Sequence, residues 1–313
     1  MSDSRESPRR PAREGGGAPA AGQGGAVPAS VDRHSRLYRE NLYVYPVLSR
    51  RSRGISIGIN LNPDKICNWD CIYCQVDRTT PPVVKDLDEP RLFEELRAML
   101  EEAKSGALLD RPEFRDLPQG LRTVRDITFA GDGEPPSYPN FSEVVRETLR
   151  VRDGAGFPGL KVVLLTNATL LDRPRVREAL RLLDGAHGEL WLKLDAGTEE
   201  MYRRIDRSTI PFAHVLRNIL ETARGRSVVL QSLFMKVAGA GPSSDEITAY
   251  CDRVREVLQG GGRIHLIQVY TVARPPAEAE VTPLSDAQVD TLAAEVRRRI
   301  PEVPVGTFYS GRV

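Results

Sequence analysis

The chain has 313 residues, of which 40% are hydrophobic and 28% charged, and its formal net charge is +1. This length suits one large α/β domain or two small ones. No stretch approaches the ~20 consecutive apolar residues that a membrane-spanning helix needs, and the first residues lack the continuous apolar core of a secretory signal. We therefore expect a cytoplasmic protein whose cysteines remain reduced.

The first 30 residues differ in composition from the rest of the chain. They are rich in Gly, Pro, Ala and Arg and contain almost no large apolar side chain. A segment of this kind cannot bury enough surface to offset its chain entropy. We predict that residues 1–35 form a disordered tail and that residues 36–313 form one folded domain.

Positive charge is concentrated near the N-terminus. Residues 1–53 contain ten Arg and five acidic residues, which leaves 34 basic and 38 acidic residues in the remaining chain. A nucleic-acid-binding domain normally carries a basic stripe on its folded surface, so nucleic acid is a possible but not a favoured partner. We interpret the basic segment LSRRSRG (48–54) as a solvated arm.

Downstream of residue 54, short β-branched runs alternate with amphipathic helical patterns. The predicted strands are 55–61, 126–131, 161–167, 189–195, 227–237 and 263–272. The predicted helices are 89–104, 140–152, 173–184, 198–205 with 212–224, 243–259 and 285–299. Three helices have expected N-cap residues, which are Asp88, Asp172 and Ser243 or Ser244. Apolar strands separated by helices indicate a parallel sheet, either doubly wound or a partial barrel.

Unusual residues lie at or just past the ends of these strands. They are Cys67, GDGEP (131–135), TNAT (166–169), Lys193 with Asp195, Lys236, and YTVARPP (270–276). In parallel α/β folds, active sites are built at the carboxyl ends of the strands. We therefore expect these segments to meet at one edge of the sheet.

Three of the four cysteines, Cys67, Cys71 and Cys74, lie within eight residues. Thiolates are soft ligands that suit zinc or iron–sulfur clusters. A structural zinc site closes with four ligands, but no fourth Cys or His lies near these three, and Cys251 falls in an amphipathic helical pattern as a small buried hydrophobic residue. The spacing therefore indicates a 4Fe-4S cluster held through three irons, with the fourth iron open.

The pattern C-x3-C-x-aromatic-C, with Tyr73 before the last cysteine, resembles the signature of the radical S-adenosylmethionine (radical SAM) superfamily. GDGEP resembles the Gly-rich turn after the second strand of those enzymes, and TNAT resembles a motif after the third. The segments GINLNPDKICNWDCIYCQ, FAGDGEP and LKLDAGT are similar to the branch that contains the tRNA wybutosine synthases and their uncharacterised bacterial relatives. The resemblance spans roughly residues 44–300.

This resemblance implies a partial (β/α)6 barrel of the TIM type that binds one 4Fe-4S cluster through Cys67, Cys71 and Cys74. The open iron would chelate the amino and carboxylate groups of SAM. One electron from a flavodoxin or ferredoxin would cleave SAM to methionine and a 5′-deoxyadenosyl radical, which takes hydrogen from an unidentified substrate. The cofactors supply the difficult chemistry, and the protein supplies placement and exclusion of water and oxygen.

Several residues are candidates for contacts with SAM. They are Tyr73, Gly131, Asp132, Gly133, Glu134, Thr166, Asn167, Lys193 and Asp195. The glycines allow positive φ and close backbone approach, although a plain turn would also explain them. Tyr73 approaches the adenine or shields the cluster. Thr166 and Asn167 bind SAM or cap the exit of the strand. Lys193 and Asp195 point to the same face, where they bind SAM or pair with each other.

Two further residues are candidates for substrate contacts. The chain has only six lysines beside 38 arginines, so a lysine at the end of an apolar strand is unusual for it. Lys236 is therefore a candidate substrate ligand or Schiff-base amine, chemistry that Arg cannot perform, with pairing to a nearby acid as the alternative. Arg274 is a candidate ligand for a substrate anion.

Three functions compete. The first is a radical SAM enzyme with an unidentified substrate. The second is a tRNA-modifying enzyme of the wybutosine type, but those synthases carry additional upstream cysteines and residues 1–66 contain none. The third is a non-catalytic iron–sulfur or zinc scaffold, which would make the shared position of the strand-end motifs a coincidence. The sequence favours the first.

Overall fold

The computed structural model describes residues 38–311, and the predicted tail at 1–35 lies outside them. The strands are β1 (Val44–Ser49), β2 (Gly54–Ile59), β3 (Val124–Phe129), β4 (Lys161–Thr166), β5 (Gly188–Lys193), β6 (Ser227–Leu233), β7 (Met235–Val237), β8 (Arg263–Tyr270), β9 (Val281–Pro283) and β10 (Val305–Phe308). The helices are α1 (Glu89–Ser105), α2 (Phe141–Gly154), α3 (Pro174–Asp184), α4 (Glu199–Ile205), α5 (Phe212–Gly225), α6 (Ser244–Gln259) and α7 (Asp286–Arg299). None of these helices combines the length and the apolar character of a membrane span.

Eight strands form one curled sheet in the order β1-β2-β3-β4-β5-β6-β8-β10. β1 is antiparallel to β2, and all other neighbours are parallel. The parallel strands follow chain order without reversal, so right-handed crossovers place the intervening helices on one face. This arrangement confirms the partial barrel and excludes the doubly wound alternative.

The two faces of the sheet have separate hydrophobic clusters. On β5, Leu190 and Leu192 belong to the large cluster that includes the helices, whereas Trp191 belongs to a small cluster with Val163 and Val229. Because side chains alternate along a strand, Lys193 shares the face of Trp191. We call the space bounded by this second, inner face of the sheet the lumen.

All seven helices lie within two residues of their predicted bounds at each end, but one predicted cap is wrong. Asp88 accepts a hydrogen bond from the amide of Arg91 at 3.1 Å, and Ser243 caps α6 in the same way. Asp172 does not cap α3, because a turn carries the chain one residue further and Arg173 occupies the N-cap without a side-chain bond.

The predicted strand 227–237 is interrupted after Leu233. Its amide donates to Asp195 Oδ1 at 2.8 Å, and the next amide, that of Phe234, donates to the carbonyl of Tyr270. The chain then leaves the sheet as β7, which pairs with β9 in a separate antiparallel ribbon. The sequence did not predict β1, β9 or β10.

The turn between β1 and β2 is not a solvated arm as a whole. Arg53 is exposed, but Arg50 donates to the carbonyl of Tyr309 beyond β10. The guanidinium carbon of Arg51 lies 5.5 Å from the ring centroid of Trp191 and 5.0 Å from that of Tyr270. The prediction is therefore wrong for Arg50 and Arg51, because the hairpin directs them toward the sheet.

Candidate functional site

The three clustered cysteines lie on the long loop between β2 and α1. Cys67, Cys71 and Cys74 are each partly exposed. The amide of Asp70 donates to the carbonyl of Asp206 at 3.1 Å, and the amide of Ile72 donates to that of Ile205 at 2.9 Å. Backbone bonds to the end of α4 therefore hold the middle of this loop in place.

The donor set fits a cluster with an open iron better than a closed zinc site. Cys251 is fully buried in the outer core, as predicted, so it supplies no fourth thiolate. Burial raises the pKa of the Cys67 thiol to about 11 and also raises that of Cys71. Within residues 38–311, no three His, Cys, Asp or Glu side chains are already gathered as a metal cage. Because the thiolate is the ligating form, cluster binding would displace the protons of these thiols.

The GDGEP turn packs directly against the cysteine loop. A Cβ on Gly131 would lie 2.2 Å from Asn60 Oδ1, and one on Gly133 would lie 2.1 Å from the carbonyl of Ile66. Neither glycine has positive φ. The close packing of this turn against the neighbouring loop, and not its backbone conformation, therefore requires glycine at both positions. Asp132 accepts from Asn60 Nδ2 at 2.7 Å, which orients this side chain toward the end of β2.

Glu134 joins this turn to the end of β4. Its carboxylate accepts from the Thr166 hydroxyl and, at 2.9 Å, from the amide of Asn167. Asn167 Nδ2 donates in turn to Asn68 Oδ1 at 2.7 Å, beside Cys67. Burial raises the pKa of Glu134 to about 7. The ends of β3 and β4 and the cysteine loop therefore form one connected site.

Lys193 and Asp195 form an ion pair with each other, which is one of the two roles that their sequence positions left open. Lys193 Nζ lies 2.9 Å from Asp195 Oδ2 and donates to the hydroxyl of Tyr270 at 3.1 Å. Burial opposes the charge on Lys193, but the Asp195 carboxylate, together with Tyr270 and Cys71, outweighs burial and raises the lysine pKa above its usual range. Both side chains lie at the edge of the sheet, next to the cysteine loop.

Tyr73 connects this ion pair to a buried acid that the sequence did not single out. Its hydroxyl donates to Asp195 Oδ2 at 2.5 Å and lies 2.8 Å from Asp206 Oδ1. One hydroxyl proton cannot serve two carboxylates. Burial, reinforced by the charge of Asp195, raises the pKa of Asp206 well above its usual range. This shift favours the protonated form of Asp206, and in that form its carboxyl would supply a second proton.

Lys236 and Arg274 lie in different surroundings. Met235 and Val237 line a cavity of about 70 Å³ that also includes Asp195. Because side chains alternate along a strand, Lys236 on β7 faces away from that cavity. The carbonyl of Arg274 accepts from Gln75 Nε2 at 3.4 Å, so this loop lies beside the last cysteine.

The sequence missed Asp206, Asn60 and Asn68. Asp206 directly follows a short helix rich in charge, which gives no sign of burial. Asn60 and Asn68 gave a weak signal, because both lie within the stretch that leads from β2 into the cysteines. Their partners lie 72 and 99 residues away in the chain.

Comparison with known proteins assigns the class. Residues 61–230 match the radical SAM superfamily, and the chain belongs to it. The chain is 26% identical over 227 residues to a UPF0026 protein of Helicobacter pylori strain J99, and this match covers 70% of this chain and 64% of the relative. The chain therefore spans slightly less than two thirds of that relative's length.

Two solved structures share the fold at low identity. A radical SAM methyltransferase from Sphaerobacter thermophilus matches with a TM-score of 0.60 and 14% identity, over 85% of this chain and 69% of the other. The structure of TYW1 with a lysine-pyruvate adduct bound matches with a TM-score of 0.50 and 17% identity, over 79% and 74%. These likenesses concern the fold alone.

Proposed function

We propose that this protein is a radical SAM enzyme that acts on a substrate held against the inner face of its partial barrel. The observation that carries the proposal is the contact of the cysteine loop with three successive strand ends. Asn68 bonds to the segment after β4, the turn after β3 packs against Ile66, and Tyr73 bonds to Asp195 after β5. When bound, a 4Fe-4S cluster and SAM supply a 5′-deoxyadenosyl radical that removes hydrogen from a substrate.

In this proposal, Cys67, Cys71 and Cys74 hold the cluster. Their loop contains Trp69 and Tyr73, which are only 4% and 7% exposed. We propose that these two aromatic side chains shield the buried side of the cluster from water. A cluster with an open iron makes the enzyme oxygen-sensitive, and we propose a flavodoxin- or ferredoxin-type electron donor in the cytoplasm.

Glu134 is the proposed acceptor for the ammonium group of SAM. Each carboxylate oxygen has two acceptor positions, and each already accepts one hydrogen bond, from Thr166 or from Asn167. One position on each oxygen therefore remains for the ligand. The missing side chains of Gly131 and Gly133 let the turn approach the cysteine loop closely.

Asp195 is the proposed acceptor for the ribose hydroxyls of SAM, and Lys193 is the proposed partner of its carboxylate. Asp195 already accepts from the Leu233 amide, the Tyr73 hydroxyl and Lys193. These three bonds fix the direction of the carboxylate. They also mean that SAM would share this acceptor with existing donors.

The proposal is tested by anaerobic reconstitution followed by incubation with SAM and dithionite. We expect methionine and 5′-deoxyadenosine from the native protein and neither product from Cys71→Ala. Cys251→Ala is the matched control, because that thiol lies in the outer core. Tight binding of one zinc ion without iron absorbance, or an iron-loaded protein that leaves SAM intact, would overturn the proposal.

The two alternative functions are tRNA modification and a non-catalytic scaffold. Neither gains specific support from the acids that bond to Tyr73 or from the Lys193–Asp195 ion pair. For the tRNA modification, a pyruvate imine on Lys236 is the distinguishing chemistry, yet this residue faces away from the cavity that includes Asp195. For a scaffold without catalysis, the connected bonds of Glu134, Asn167 and Asn68 would have no ligand to serve.

A further inference from the structure

A groove of about 430 Å³ lies between α3 and α5, on the helix side of the barrel sheet. Its lining includes the buried residues Leu180, Asn218 and Thr222. Small-molecule sites have volumes of roughly 300–1,000 Å³, so this groove has room for a ligand. None of its lining residues is a proposed ligand of the cluster or of SAM, and it is therefore separate from the candidate site.

Four arginines line this groove, which we call the arginine groove. They are Arg177 and Arg181 on α3, Arg217 on α5, and Arg226 just after α5. Arg226 Nη2 lies 3.2 Å from Asp184, but its Nε and Nη1 are buried without an acceptor among the described residues. Burial lowers the pKa of Arg226, Asp184 opposes this shift, and the charge of Arg181 adds to it. Positive charges from both sides of the groove therefore act on one another.

Most acids near the arginine groove are already paired with arginines outside it. Glu221, which lines the groove, accepts from Arg224 Nη1 at 2.6 Å. Glu178, on α3, accepts from Arg146 Nη2 on α2 at 2.6 Å. Asp184 is the partner of one groove arginine, as described above. These three carboxylates therefore leave little negative charge for the other groove arginines.

The remaining charges of the arginine groove do not balance. Within the part of the chain that the structure describes, Arg177, Arg181 and Arg217 form no ion pair with an acid. Arg217 Nη2 lies 2.7 Å from His214 Nδ1, and because a guanidinium can only donate, this nitrogen accepts and the ring is neutral. The remaining groove carboxylate is Asp172, which lies 4.0 Å from His214 Nε2. Three positive charges therefore face one negative charge, an excess of two.

We propose that the arginine groove binds the phosphate group of a small organic phosphate monoester. A phosphate monoester carries a charge of about −1.5 to −2 at pH 7, which matches the excess. Guanidinium groups bind phosphate oxygens through paired hydrogen bonds, and the groove is larger than a phosphate group alone needs. The inference does not depend on the proposed function, because the groove shares no residue with the cluster and SAM ligands.

The charges around the arginine groove favour a small ligand over nucleic acid. On α2, α4 and α6, Arg150, Arg203 and Arg253 are each paired with a glutamate three or four residues away. A nucleic-acid backbone is normally bound along a basic stripe, and these paired arginines do not extend the excess charge over the neighbouring helices. A concave site with a local excess suits a single phosphate group.

The test is calorimetric titration of the full chain after anaerobic reconstitution. The probes are glycerol 3-phosphate, its isostere glycerol 3-sulfate with one charge fewer, inorganic phosphate and single-stranded oligouridylate. We expect saturable binding of glycerol 3-phosphate and at least about tenfold weaker binding of the sulfate. Arg181→Gln and Arg217→Gln should each weaken glycerol 3-phosphate binding by at least about tenfold. Both side chains are exposed, so the variants should fold.

Arg150→Gln is the matched control, because it removes the same charge from α2 outside the groove. Equal affinity for the phosphate and sulfate esters, tighter binding of inorganic phosphate or oligouridylate, or native affinity in both groove variants would overturn the inference. The titration is repeated with saturating SAM. Unchanged affinity for glycerol 3-phosphate supports a separate site, and competition contradicts it. A protein that binds glycerol 3-phosphate but not SAM contradicts only the proposed function.

Discussion

The outer and inner faces of the barrel sheet are made from alternate residues of the same strands, yet the outer face forms the hydrophobic core and the inner face carries the candidate site. On β5, Leu190 and Leu192 pack under the helices, whereas Trp191 and Lys193 face the lumen. The outer face gains stability from burial and packing, which depend on volume. The inner face depends on charge and hydrogen-bond geometry. Substitutions on one β-strand should therefore separate stability from function.

The largest effect is expected at the cysteines. Replacing Cys67, Cys71 or Cys74 by Ala should abolish the roughly four irons per chain that a 4Fe-4S cluster contributes after reconstitution. Cys251→Ala should keep the iron, because its thiol is buried in the outer core. Iron and sulfide analysis with absorbance spectra checks this. A Cys251→Ala protein without iron would contradict the separation of the two faces.

A substitution on the outer face should reduce stability and leave SAM binding intact. Leu192 has no exposed surface, and Leu→Ala at such a site removes about 2–5 kcal/mol from the free energy of unfolding. Urea denaturation measures the loss. SAM affinity of the fraction that is still folded should equal that of the native protein, and a parallel loss of affinity would show that the faces are coupled.

Inner-edge acids should behave in the opposite way. Glu134→Ala and Asp195→Ala should leave the cluster spectrum intact and weaken SAM binding about ten- to hundredfold, because each loses a charge-assisted bond of about 1.5–3 kcal/mol. Equilibrium binding and 5′-deoxyadenosine release measure the effect. Native SAM affinity in both variants would mean that these acids serve the fold.

The pKa of Glu134 predicts a pH dependence of SAM affinity. Burial raises this pKa to about 7, so below pH 7 the group is protonated and must release its proton before it can accept an ammonium group. Affinity should fall about tenfold for each pH unit below 7 and should level off above it. Titrations from about pH 6 to 8 test this, with Glu134→Gln as the control that should lose the slope.

The smallest effect is expected at Lys236, which lies on the separate β7–β9 ribbon and on neither face of the barrel sheet. Lys236→Arg keeps the charge but cannot form an imine, and we expect SAM cleavage to continue at the native rate. Borohydride trapping with pyruvate should give no mass increase on the peptide that contains Lys236. An adduct would restore the tRNA-modification alternative.

The sequence predicted the six barrel strands and all seven helices because each has its own local periodicity. The edge strands β1 and β10 were not predicted. Pro46 interrupts the pattern of β1, and β10 has only four residues. The pairing of both strands is also determined by residues distant in sequence. The break after Leu233 was hidden for the same reason, since its amide bonds to Asp195, 38 residues earlier.

At the candidate site, the sequence identified side chains that follow strands, because the carboxyl ends of parallel strands share one edge. Asp206 escaped because nothing local marks a buried acid, and its bond to Tyr73 spans 133 residues. The inward position of Arg51 was not predicted, because the sequence of this turn does not show which of its three arginines points toward the sheet. Only the orientation of the hairpin shows that Arg51 points inward and Arg53 outward.

The backbone bonds that anchor the cysteine loop have a consequence for the maturation of the protein. The amides of Asp70 and Ile72 donate to carbonyls at the end of α4, and the carbonyl of Ile72 accepts from the backbone amide of Glu278 at 3.2 Å. These bonds use backbone atoms alone and involve none of the three cysteine thiols. The polypeptide itself can therefore hold this loop, and iron and sulfide would be delivered to a segment that is already anchored.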